Sequence, residues 1–403
     1  MVKELIKTQH GDILLPAFMP DATYGSIKSI SFKDAETAGV KEIVTTTMHI
    51  EQNIGSEFIK EFGGIHKFFG WDRPILTDSG GWQVFSLINR QRSVISNQSS
   101  DKKQRSENSK LMTDNFITEA GCSFLDPVTN QQFLLTPESS MQIQFNLGAD
   151  LMTVLDDPIL GDASFAERKE CVRINTVWAK RAKKKFDELS TPSSLRDTSP
   201  LIKGRMRGVQ PLLGCVIQGG NDYELRKQSA EELVELDFDI YNFGGLPLHT
   251  PVTWKTESEE GFFHDMLKYV SDLIPDKKCK YAMGVGQPTD IAYCVDVGWN
   301  LFDTVLPTRN ARHGYLYVSE GQGEETKIYK KLSHDVLRIK KEIYSKDSRP
   351  IDENCKCEAC VNYSRAYIRH LIRMNEPAGF RLATIHNLTF YTSWMQDIRI
   401  SIK

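Results

Sequence analysis

Hydrophobic residues occur along the chain in eight short runs, each ending in a polar or glycine-rich stretch. Longer segments with the apolar spacing of an amphipathic helix separate several of them, as in residues 223–238 and 288–299. Alternation of strands and helices predicts parallel strands, and eight such units predict a closed (β/α)8 barrel of the TIM type. The runs predicted as strands are residues 16–20, 42–47, 74–79, 151–157, 213–220, 240–245, 281–286 and 301–307.

An open doubly wound sheet is the alternative to a closed barrel. The Gly-Val-Gly at residues 284–286 invites comparison with a dinucleotide-binding loop. It is too short for that fingerprint and occurs too late in the chain, so the barrel is the preferred prediction.

Polar residues and glycines stand at the carboxyl ends of the predicted strands, where barrels of this type carry their chemistry. Any one of them could be a helix cap or a turn. Several carboxylates at one mouth would repel one another unless a ligand, a proton or backbone donors intervened, so together they predict a functional site. The residues are Asp78 with Ser79, Asp156 with Asp157, Gln218, Gly244 with Gly245, and Asp303.

The segment Thr-Asp-Ser-Gly-Gly-Trp at residues 77–82 is unfavourable for packing, since glycine weakens a strand and a buried carboxylate needs partners. Glycines allow a ligand to approach the backbone closely, and the ring of Trp82 offers a flat face. The segment therefore predicts a binding surface with an acid beside it.

Composition is that of an ordinary globular protein, with 403 residues of which 40% are hydrophobic and 26% charged. The first residues lack the apolar run of a signal peptide, and no run is long enough for a membrane span, so a cytoplasmic protein is predicted. A net charge of -3 does not indicate nucleic-acid binding, although a local basic face would be compatible with it.

Two polar, serine-rich segments, residues 91–115 and 188–208, are predicted as long surface loops inserted into the barrel. The barrel is predicted to occupy residues 1–325, and a helical zinc-binding subdomain packed on it residues 326–403. The basic segment 327–346 is predicted to be a helix of that subdomain.

Three cysteines lie within six residues, in the segment Cys-Lys-Cys-Glu-Ala-Cys. Tetrahedral zinc takes thiolates and imidazoles together, and a closed shell of three cysteines and one histidine is typical of a structural site. Two histidines follow, His370 on a predicted helix and His386 after a predicted turn containing Pro377 and Gly379. One structural Zn2+ per chain is predicted, with the ligands Cys355, Cys357, Cys360 and His386.

These motifs resemble, nearly over the full length and in the same order, those of the tRNA-guanine transglycosylases, also called queuine tRNA-ribosyltransferases. The resemblance rests on HGDILLPAFMP, WDRPILTDSGGWQVFSL, LGADLMTVLDD, VIQGG, YAMGVG, LFDTVLPTRNAR and CKCEAC with TIHN. It implies a barrel with an appended zinc subdomain. The implied activity is exchange of guanine at wobble position 34 of tRNA anticodons for a 7-deazaguanine, either queuine or its aminomethyl precursor.

The resemblance also implies a role for each residue at the predicted mouth. Asp303 matches the nucleophile that forms a covalent ribosyl-aspartate, and Asp78 matches the general acid/base. Arg309 and Arg312 match tRNA-binding residues. The implied partners are tRNA with G34, the base, and a second subunit, either identical or related. The residues matching the base-binding positions are Ser79, Trp82, Asp156, Gln218, Gly245 and Met283.

The chain departs from the family pattern around the base. Trp82 replaces a phenylalanine or tyrosine, the motif after the second strand is altered to TTTMHI, and Asp157-Pro158 resembles the animal form. Thr250 stands where a glutamate is expected. These changes predict that queuine is accepted at least as well as the precursor.

Two other functions fit parts of the sequence. A non-catalytic, tRNA-binding partner subunit of the same family could keep the fold and the zinc site, but it would have no need of both Asp78 and Asp303. A barrel hydrolase acting on a nucleoside would use the same two acids. Such a hydrolase would have no use for the PTRNAR segment or the zinc ligands.

Overall fold

The computed structural model describes residues 4–85, 116–125, 131–158, 163–191, 209–245, 257–323 and 325–402. The predicted loop 91–115 and Thr250 lie outside these ranges. Of the other predicted loop, residues 192–208 also lie outside. Its first residues, Glu188 to Ser190, were wrongly placed in a loop, because they form the last turn of the helix Phe165–Ser190.

Fifteen strands are described, and each of the eight runs predicted from the hydrophobic pattern overlaps one of them. In chain order the strands are β1 (Leu5–Thr8), β2 (Gly11–Leu14), β3 (Ala17–Pro20), β4 (Ile43–Thr45), β5 (Ile75–Thr77), β6 (Ile117–Thr118), β7 (Gly121–Leu125), β8 (Gln132–Leu135), β9 (Leu151–Thr153), β10 (Leu212–Ile217), β11 (Ile240–Phe243), β12 (Cys279–Ala282), β13 (Leu301–Thr304), β14 (Tyr315–Gln322) and β15 (Leu332–Arg338). The principal helices span Phe32–Thr37, Thr47–Asn53, Ser56–Phe62, Ile65–Phe69, Pro137–Leu147, Phe165–Ser190, Tyr223–Val234, Glu257–Leu273, Pro288–Asp296, Leu306–His313, Ile328–Lys331, Glu358–Asn362, Arg365–Arg373 and Pro377–Ile402.

Eight strands form one parallel sheet in the order β3-β13-β12-β11-β10-β9-β5-β4. A parallel bridge between Asp21 and Val44 joins the two edge strands, and the Ala22 N–H donates to the Val44 carbonyl at 2.8 Å. The sheet thus curls into a barrel whose strands follow one another around it in chain order. This confirms the predicted (β/α)8 architecture.

The interior of the barrel is filled by side chains that alternate along the strands with those facing the helices. Met19, Val44, Leu76 and Leu301 belong to this interior cluster, and Ile13 from the β1–β2 hairpin joins it. Ile6 and Ile13 of the hairpin cover the amino end of the barrel, so in the part of the chain that the structure describes the open mouth is at the carboxyl end. The sheet β6-β7-β8 is inserted between β5 and β9.

The prediction of a long basic helix over residues 327–346 was wrong. The segment contains a four-residue helix, the strand β15 and a short 3-10 turn, Glu342–Tyr344. Strand β15 pairs antiparallel with β14, with Leu332 opposite Gln322 and Arg338 opposite Tyr315. Lysines and arginines favour a helix locally, but pairing with β14 outweighs that preference.

The turn predicted before His386 is also absent. Pro377 is the first residue of the long helix Pro377–Ile402, a position where proline is tolerated because its missing N–H would have no helical partner. Gly379 lies in the first turn of this helix, where an added Cβ would come within 2.7 Å of the Leu371 Cβ. The glycine therefore permits close packing on the helix that carries His370, rather than marking a turn.

The carboxy-terminal helix packs along the outside of the barrel. The Tyr391 hydroxyl donates to the Gly286 carbonyl at 2.8 Å, Trp394 Nε1 donates to the Pro288 carbonyl at 3.0 Å, and Arg399 Nη1 donates to the Pro16 carbonyl at 2.7 Å. One core cluster runs through both predicted parts of the chain. None of the described helices combines the length and the apolar character that crossing a membrane requires.

Candidate active site and metal centre

The alternation of side chains along the barrel strands determines which residues face the mouth. Leu76 and Leu301 point into the barrel interior. In an extended chain every second side chain lies on the same side, so the residue two positions further along points the same way. Asp78 and Asp303 occupy these positions at the ends of β5 and β13. The sequence prediction that these two acids converge at one mouth agrees with this placement.

Asp303 is held through one of its two carboxylate oxygens. Its Oδ1 accepts hydrogen bonds from the Tyr281 hydroxyl at 2.7 Å and from the Gly284 N–H at 2.8 Å. Burial raises the pKa of Asp303 to about 6, the two hydrogen bonds oppose that rise, and the negative charges of Asp21 and Asp78 add to it. Among the described residues no donor contacts Oδ2, which leaves that oxygen available to react.

Asp78 is held by the chain that surrounds it. Its Oδ1 accepts from the backbone N–H groups of Thr47 at 2.9 Å and Gly80 at 3.1 Å, and its Oδ2 accepts from Gln83 Nε2 at 2.7 Å. Burial raises the pKa of Asp78, and these hydrogen bonds limit the rise. A carboxyl group whose pKa lies closer to neutrality is better suited to both give and take a proton.

Asp156 lies beyond β9 and forms a polar cluster with two other predicted base-binding residues. Its Oδ1 accepts from the Ser79 hydroxyl at 3.1 Å, and its Oδ2 accepts from Gln218 Nε2 at 2.8 Å. Burial raises the pKa of Asp156 to about 6. The Gln218 Oε1 is buried and has no hydrogen-bond partner among the described residues. An unsatisfied buried acceptor of this kind is suited to a ligand N–H.

Glycines bring the backbone close to this cluster. A Cβ at Gly81 would lie 2.4 Å from the Asp156 carbonyl oxygen, and one at Gly244 would lie 2.5 Å from Gln218 Nε2. Since real Cβ atoms do not approach that closely, both positions require glycine. Gly81 of the Asp-Ser-Gly-Gly segment thus allows the loops after β5 and β9 to meet.

Sequence reasoning missed Arg226, which organises the loops after β10 and β11. Its guanidinium is fully buried and donates to the carbonyls of Ile217 and Gly244 at 2.7 Å, and to those of Gly220 at 2.9 Å and Gly245 at 2.8 Å. These bonds orient the Gly245 backbone. No motif marked the residue, because its partners are main-chain carbonyls that only the fold brings together.

Trp82 and Met283 follow two different barrel strands, β5 and β12, at their carboxyl ends. Trp82 is 57% exposed despite its size, in a helical segment formed by residues 81–85. Met283 lies just beyond β12 and packs partly against the interior cluster. An exposed indole beside the acids offers a surface that a flat ring could cover.

The two arginines of the PTRNAR segment lie on the helix Leu306–His313, which follows β13 directly. Arg309 is exposed, whereas Arg312 is half-buried and donates from Nη1 to the Thr308 carbonyl at 2.8 Å. The charge of Asp21 acts on Arg312. Both guanidinium groups therefore stand near the rim that carries Asp303.

The predicted metal ligands come together in the carboxy-terminal region. The ligand atoms of Cys355, Cys357, Cys360 and His386 all lie within 4.8 Å of one another. His386 Nδ1 is 3.3 Å from Cys360 Sγ and 3.7 Å from Cys357 Sγ. His386 Nε2 lies 2.7 Å from the Tyr317 carbonyl. A proton on Nε2 would bond that carbonyl and leave the Nδ1 lone pair facing the thiols, as a metal ligand requires.

His370, the alternative ligand weighed from the sequence, is not part of this group. The set of three sulfurs and one imidazole nitrogen, buried except for the half-buried Cys355, suits the chemistry of Zn2+. Its position, with His386 fully buried on the long helix, makes it a centre that fastens the cysteine segment to that helix.

A second cluster of possible metal ligands, His10, His66 and Asp150, lies at the amino end of the barrel. His10 Nδ1 and His66 Nε2 each lie 2.9 Å from a different oxygen of Asp150, and the two rings stack with centroids 3.4 Å apart. Hydrogen bonds from the two imidazoles account for this arrangement. The cluster ties the β1–β2 turn to the barrel.

Comparison with known proteins identifies the family of the chain. The family model described as "Queuine tRNA-ribosyltransferase" matches residues 4–403. A protein of Chromobacterium violaceum is 35% identical over 398 residues, which are 99% of this chain and 90% of that protein. One of Blochmanniella floridana is 38% identical over 396 residues, covering 98% and 88% respectively. Both relatives carry the name Queuine tRNA-ribosyltransferase.

An eight-stranded parallel barrel with acids at its mouth and a cysteine–histidine centre beside it defines a class of barrel transferases. The chain belongs to the queuine tRNA-ribosyltransferase family. It is accordingly an enzyme, a transferase that acts on a pentosyl group.

Proposed function

We propose that this enzyme exchanges guanine at wobble position 34 of tRNA for a 7-deazaguanine through a covalent ribosyl-aspartate. The observation that carries the proposal is the pair of acids Asp78 and Asp303 at one mouth. Asp303 has one oxygen that no donor of the described residues contacts, whereas Asp78 accepts hydrogen bonds on both oxygens. A double displacement needs one acid as nucleophile and one as proton carrier.

Asp303 is the nucleophile in this proposal. The Tyr281 hydroxyl and Gly284 N–H fix Oδ1, so Oδ2 is directed to attack the ribose C1' while the bond to guanine breaks. The product is a ribosyl ester, and the electron pair of the broken bond leaves with the guanine. Attack by the incoming base on the same carbon regenerates the free carboxylate, and two inversions preserve the configuration of the sugar.

Asp78 carries the proton in both directions. In its acid form it protonates the departing guanine, and as a carboxylate it accepts the proton that the incoming base loses. General acid–base catalysis of this kind contributes about 10^2- to 10^4-fold to a rate. The Thr47 and Gly80 N–H groups keep Asp78 in place through both steps.

The cluster of Asp156, Gln218 and Ser79 recognises the purine edge. Gln218 Oε1, which has no partner among the described residues, accepts from a ring N–H of the base. The Gly245 backbone, oriented by Arg226, adds a further contact, and Trp82 with Met283 sandwiches the ring. Arg309 and Arg312 bind the anticodon loop through its phosphates.

A zinc ion bound by Cys355, Cys357, Cys360 and His386 is the structural cofactor in this proposal, one per chain. It has no part in the reaction. The bound metal would hold the cysteine segment against the long helix, beside the β14 strand that supplies the Tyr317 carbonyl. A second subunit, identical or related, is predicted from the family resemblance. The division into two domains near residue 325 is likewise a prediction.

The exchange itself can be tested directly. Purified protein is incubated with unmodified tRNA and labelled guanine, and label in the tRNA is counted. Incorporation that is lost when position 34 is changed from G to A supports the proposal. If even a high concentration of the enzyme incorporates no label, the proposal is overturned and the alternative of a non-catalytic partner subunit is favoured.

The pH profile should report the ionisation of Asp303. The nucleophile must be a carboxylate, and burial raises its pKa to about 6. At pH 5 only about one tenth of such a group is ionised, so kcat/KM should fall about tenfold between pH 7 and pH 5. An ordinary aspartate would remain ionised over that range. Initial rates of guanine exchange between pH 4.5 and 8 test this, and a profile flat to pH 4.5 would contradict it.

The identity of the incoming base is a separate prediction. We expect queuine to displace guanine at least as efficiently as the aminomethyl precursor, because Thr250 replaces an expected glutamate near the 7-substituent. Thr250 lies outside the described residues, so sequence alone supports this step. Competition of each base against labelled guanine in tRNA measures kcat/KM for both. If queuine is a hundredfold poorer than the precursor, the enzyme inserts the precursor instead.

A further inference from the structure

Asp21 is a fourth carboxylate at the mouth, and the mechanism above does not use it. The residue follows β3 directly and forms the bridge to Val44 that joins the edges of the barrel. Ala17 and Met19 on β3 belong to the interior cluster. Because side chains alternate along a strand, Asp21 points the same way, into the mouth.

Asp21 stands beside the nucleophile. Strands β3 and β13 pair in parallel, with Met19 opposite Asp303 and Pro20 opposite Thr304. Asp21 lies two positions beyond Met19, so its side chain is the next one outward on the same face of the neighbouring strand. Burial is the main cause of the raised pKa of Asp303, and the negative charge of Asp21 adds to the rise.

The Asp21 side chain is fixed by the residue two positions on. The Thr23 hydroxyl lies 2.7 Å from Oδ1 and 2.6 Å from Oδ2, and a backbone hydrogen bond from Thr23 adds to this hold. Lys28 and Arg312 are near enough to act on its charge, but Asp21 forms no ion pair within the part of the chain that the structure describes. A carboxylate can accept about four hydrogen bonds, and the described residues supply Asp21 with two donors, the Thr23 hydroxyl and the Thr23 N–H, so it has capacity for a further donor.

An acceptor-only group of this kind selects its ligand by chemistry. A phosphate would be repelled by Asp21 and by the neighbouring Asp303. The heterocycle already has its own polar cluster around Asp156. A sugar hydroxyl is a neutral donor, and the 2'-hydroxyl is attached to the carbon next to the C1' that Asp303 attacks.

We propose that Asp21 accepts a hydrogen bond from the 2'-hydroxyl of the target nucleotide and so positions its C1' against Asp303. The inference rests on the proposed function, since it concerns the same sugar. It makes Asp21 a residue that distinguishes a ribonucleotide from a deoxyribonucleotide at this one position, as 2'-hydroxyl contacts do in RNA recognition. Because this contact would place the reacting carbon, its loss should lower kcat as well as raise KM.

The experiment is a double-mutant cycle between protein and substrate. Anticodon stem-loop RNAs with either guanosine or 2'-deoxyguanosine at position 34 are assayed for labelled-guanine exchange with the unaltered enzyme and with Asp21→Ala. A lost hydrogen bond to a charged group costs about 10- to 100-fold. The unaltered enzyme should lose that factor in kcat/KM on the deoxy substrate. Asp21→Ala should exchange both substrates at one similar, reduced rate.

Three further variants separate recognition from structure. Asp21→Asn keeps an acceptor oxygen and should recover part of the preference for the ribose. Thr23→Val removes the hydroxyl that fixes Asp21 and should weaken the preference without abolishing it. Asp12→Ala removes an exposed acid at the other end of the barrel and should change neither rate nor preference. Thermal unfolding and metal content show whether each variant is folded.

The outcomes are distinct. If Asp21→Ala is slower but retains the full discrimination of the unaltered enzyme against the deoxy substrate, Asp21 does not contact the 2'-hydroxyl and the inference is overturned. If the unaltered enzyme shows no discrimination, the inference is overturned as well. If that enzyme exchanges no guanine into the all-ribose RNA, it is the proposed function that fails.

Discussion

Replacement of Asp303 by alanine should abolish guanine exchange while tRNA binding persists. The variant lacks the carboxylate that we propose attacks C1', which Tyr281 and Gly284 hold through Oδ1, so no ribosyl ester can form. Loss of a nucleophile that acts together with its partners costs about 10^4-fold or more in kcat. The unaltered enzyme, denatured in the presence of tRNA without added base, should yield a covalent tRNA adduct on a gel, and the variant should yield none.

Two comparisons keep this result interpretable. Asp12→Ala removes an exposed acid from β2, far from the mouth, and should leave both exchange and adduct unchanged. The affinity of Asp303→Ala for tRNA, measured by filter binding at one fixed salt concentration, should stay within a few fold of the unaltered protein. Exchange by Asp303→Ala above about one per cent of the normal rate, or an adduct on the gel, would remove Asp303 from its assigned role.

Replacement of Cys357 by serine should release the metal and destabilise the carboxy-terminal region. Cys357 Sγ faces His386 Nδ1, and the group fastens the cysteine segment to the long helix that packs along the barrel. Loss of a structural metal belongs to the few changes that cost more than about 4 kcal/mol. The zinc content, measured by atomic emission, should fall from one per chain to near zero, and the carboxy-terminal amides should lose their protection from hydrogen exchange.

Cys294→Ala is the matched control, since Cys294 is also buried but lies on the helix Pro288–Asp296, away from the predicted metal ligands. It should lower stability modestly through the lost sulfur contacts and keep the metal. A Cys357→Ser protein that is metal-free yet as stable and active as the unaltered protein would show that these four residues form no structural metal site.

The barrel and its main acids were predictable because both depend on local patterns. Short apolar runs alternating with amphipathic helices allow few arrangements, and the carboxyl end of each run identifies the mouth. Asp78 and Asp303 each lie two positions after an interior leucine, Leu76 and Leu301, and therefore on the same face of the strand. The cysteine spacing likewise indicated the metal centre, because three thiols within six residues have few other uses in such a chain.

Errors occurred where tertiary contacts outweighed local preference. The basic segment before the cysteines has a helical composition, but β15 pairs with β14 along its whole length. Pro377 and Gly379 suggested a turn, although the first begins a helix and the second allows that helix to pack closely on its neighbour. Neither outcome could be derived from residues adjacent in the chain.

Sequence by itself determined the class of fold, because the alternation of apolar runs and amphipathic segments is local, and it identified Asp78, Asp303 and the cysteine–histidine group as candidate functional residues. Only the tertiary structure decided the pKa values of those acids and the hydrogen bonds that hold them. Burial raises the pKa of Asp303, Arg226 joins two loops through their carbonyls, and the bridge from Asp21 to Val44 closes the barrel. These effects depend on burial and on partners far apart in the chain, and both arise only when the strands meet.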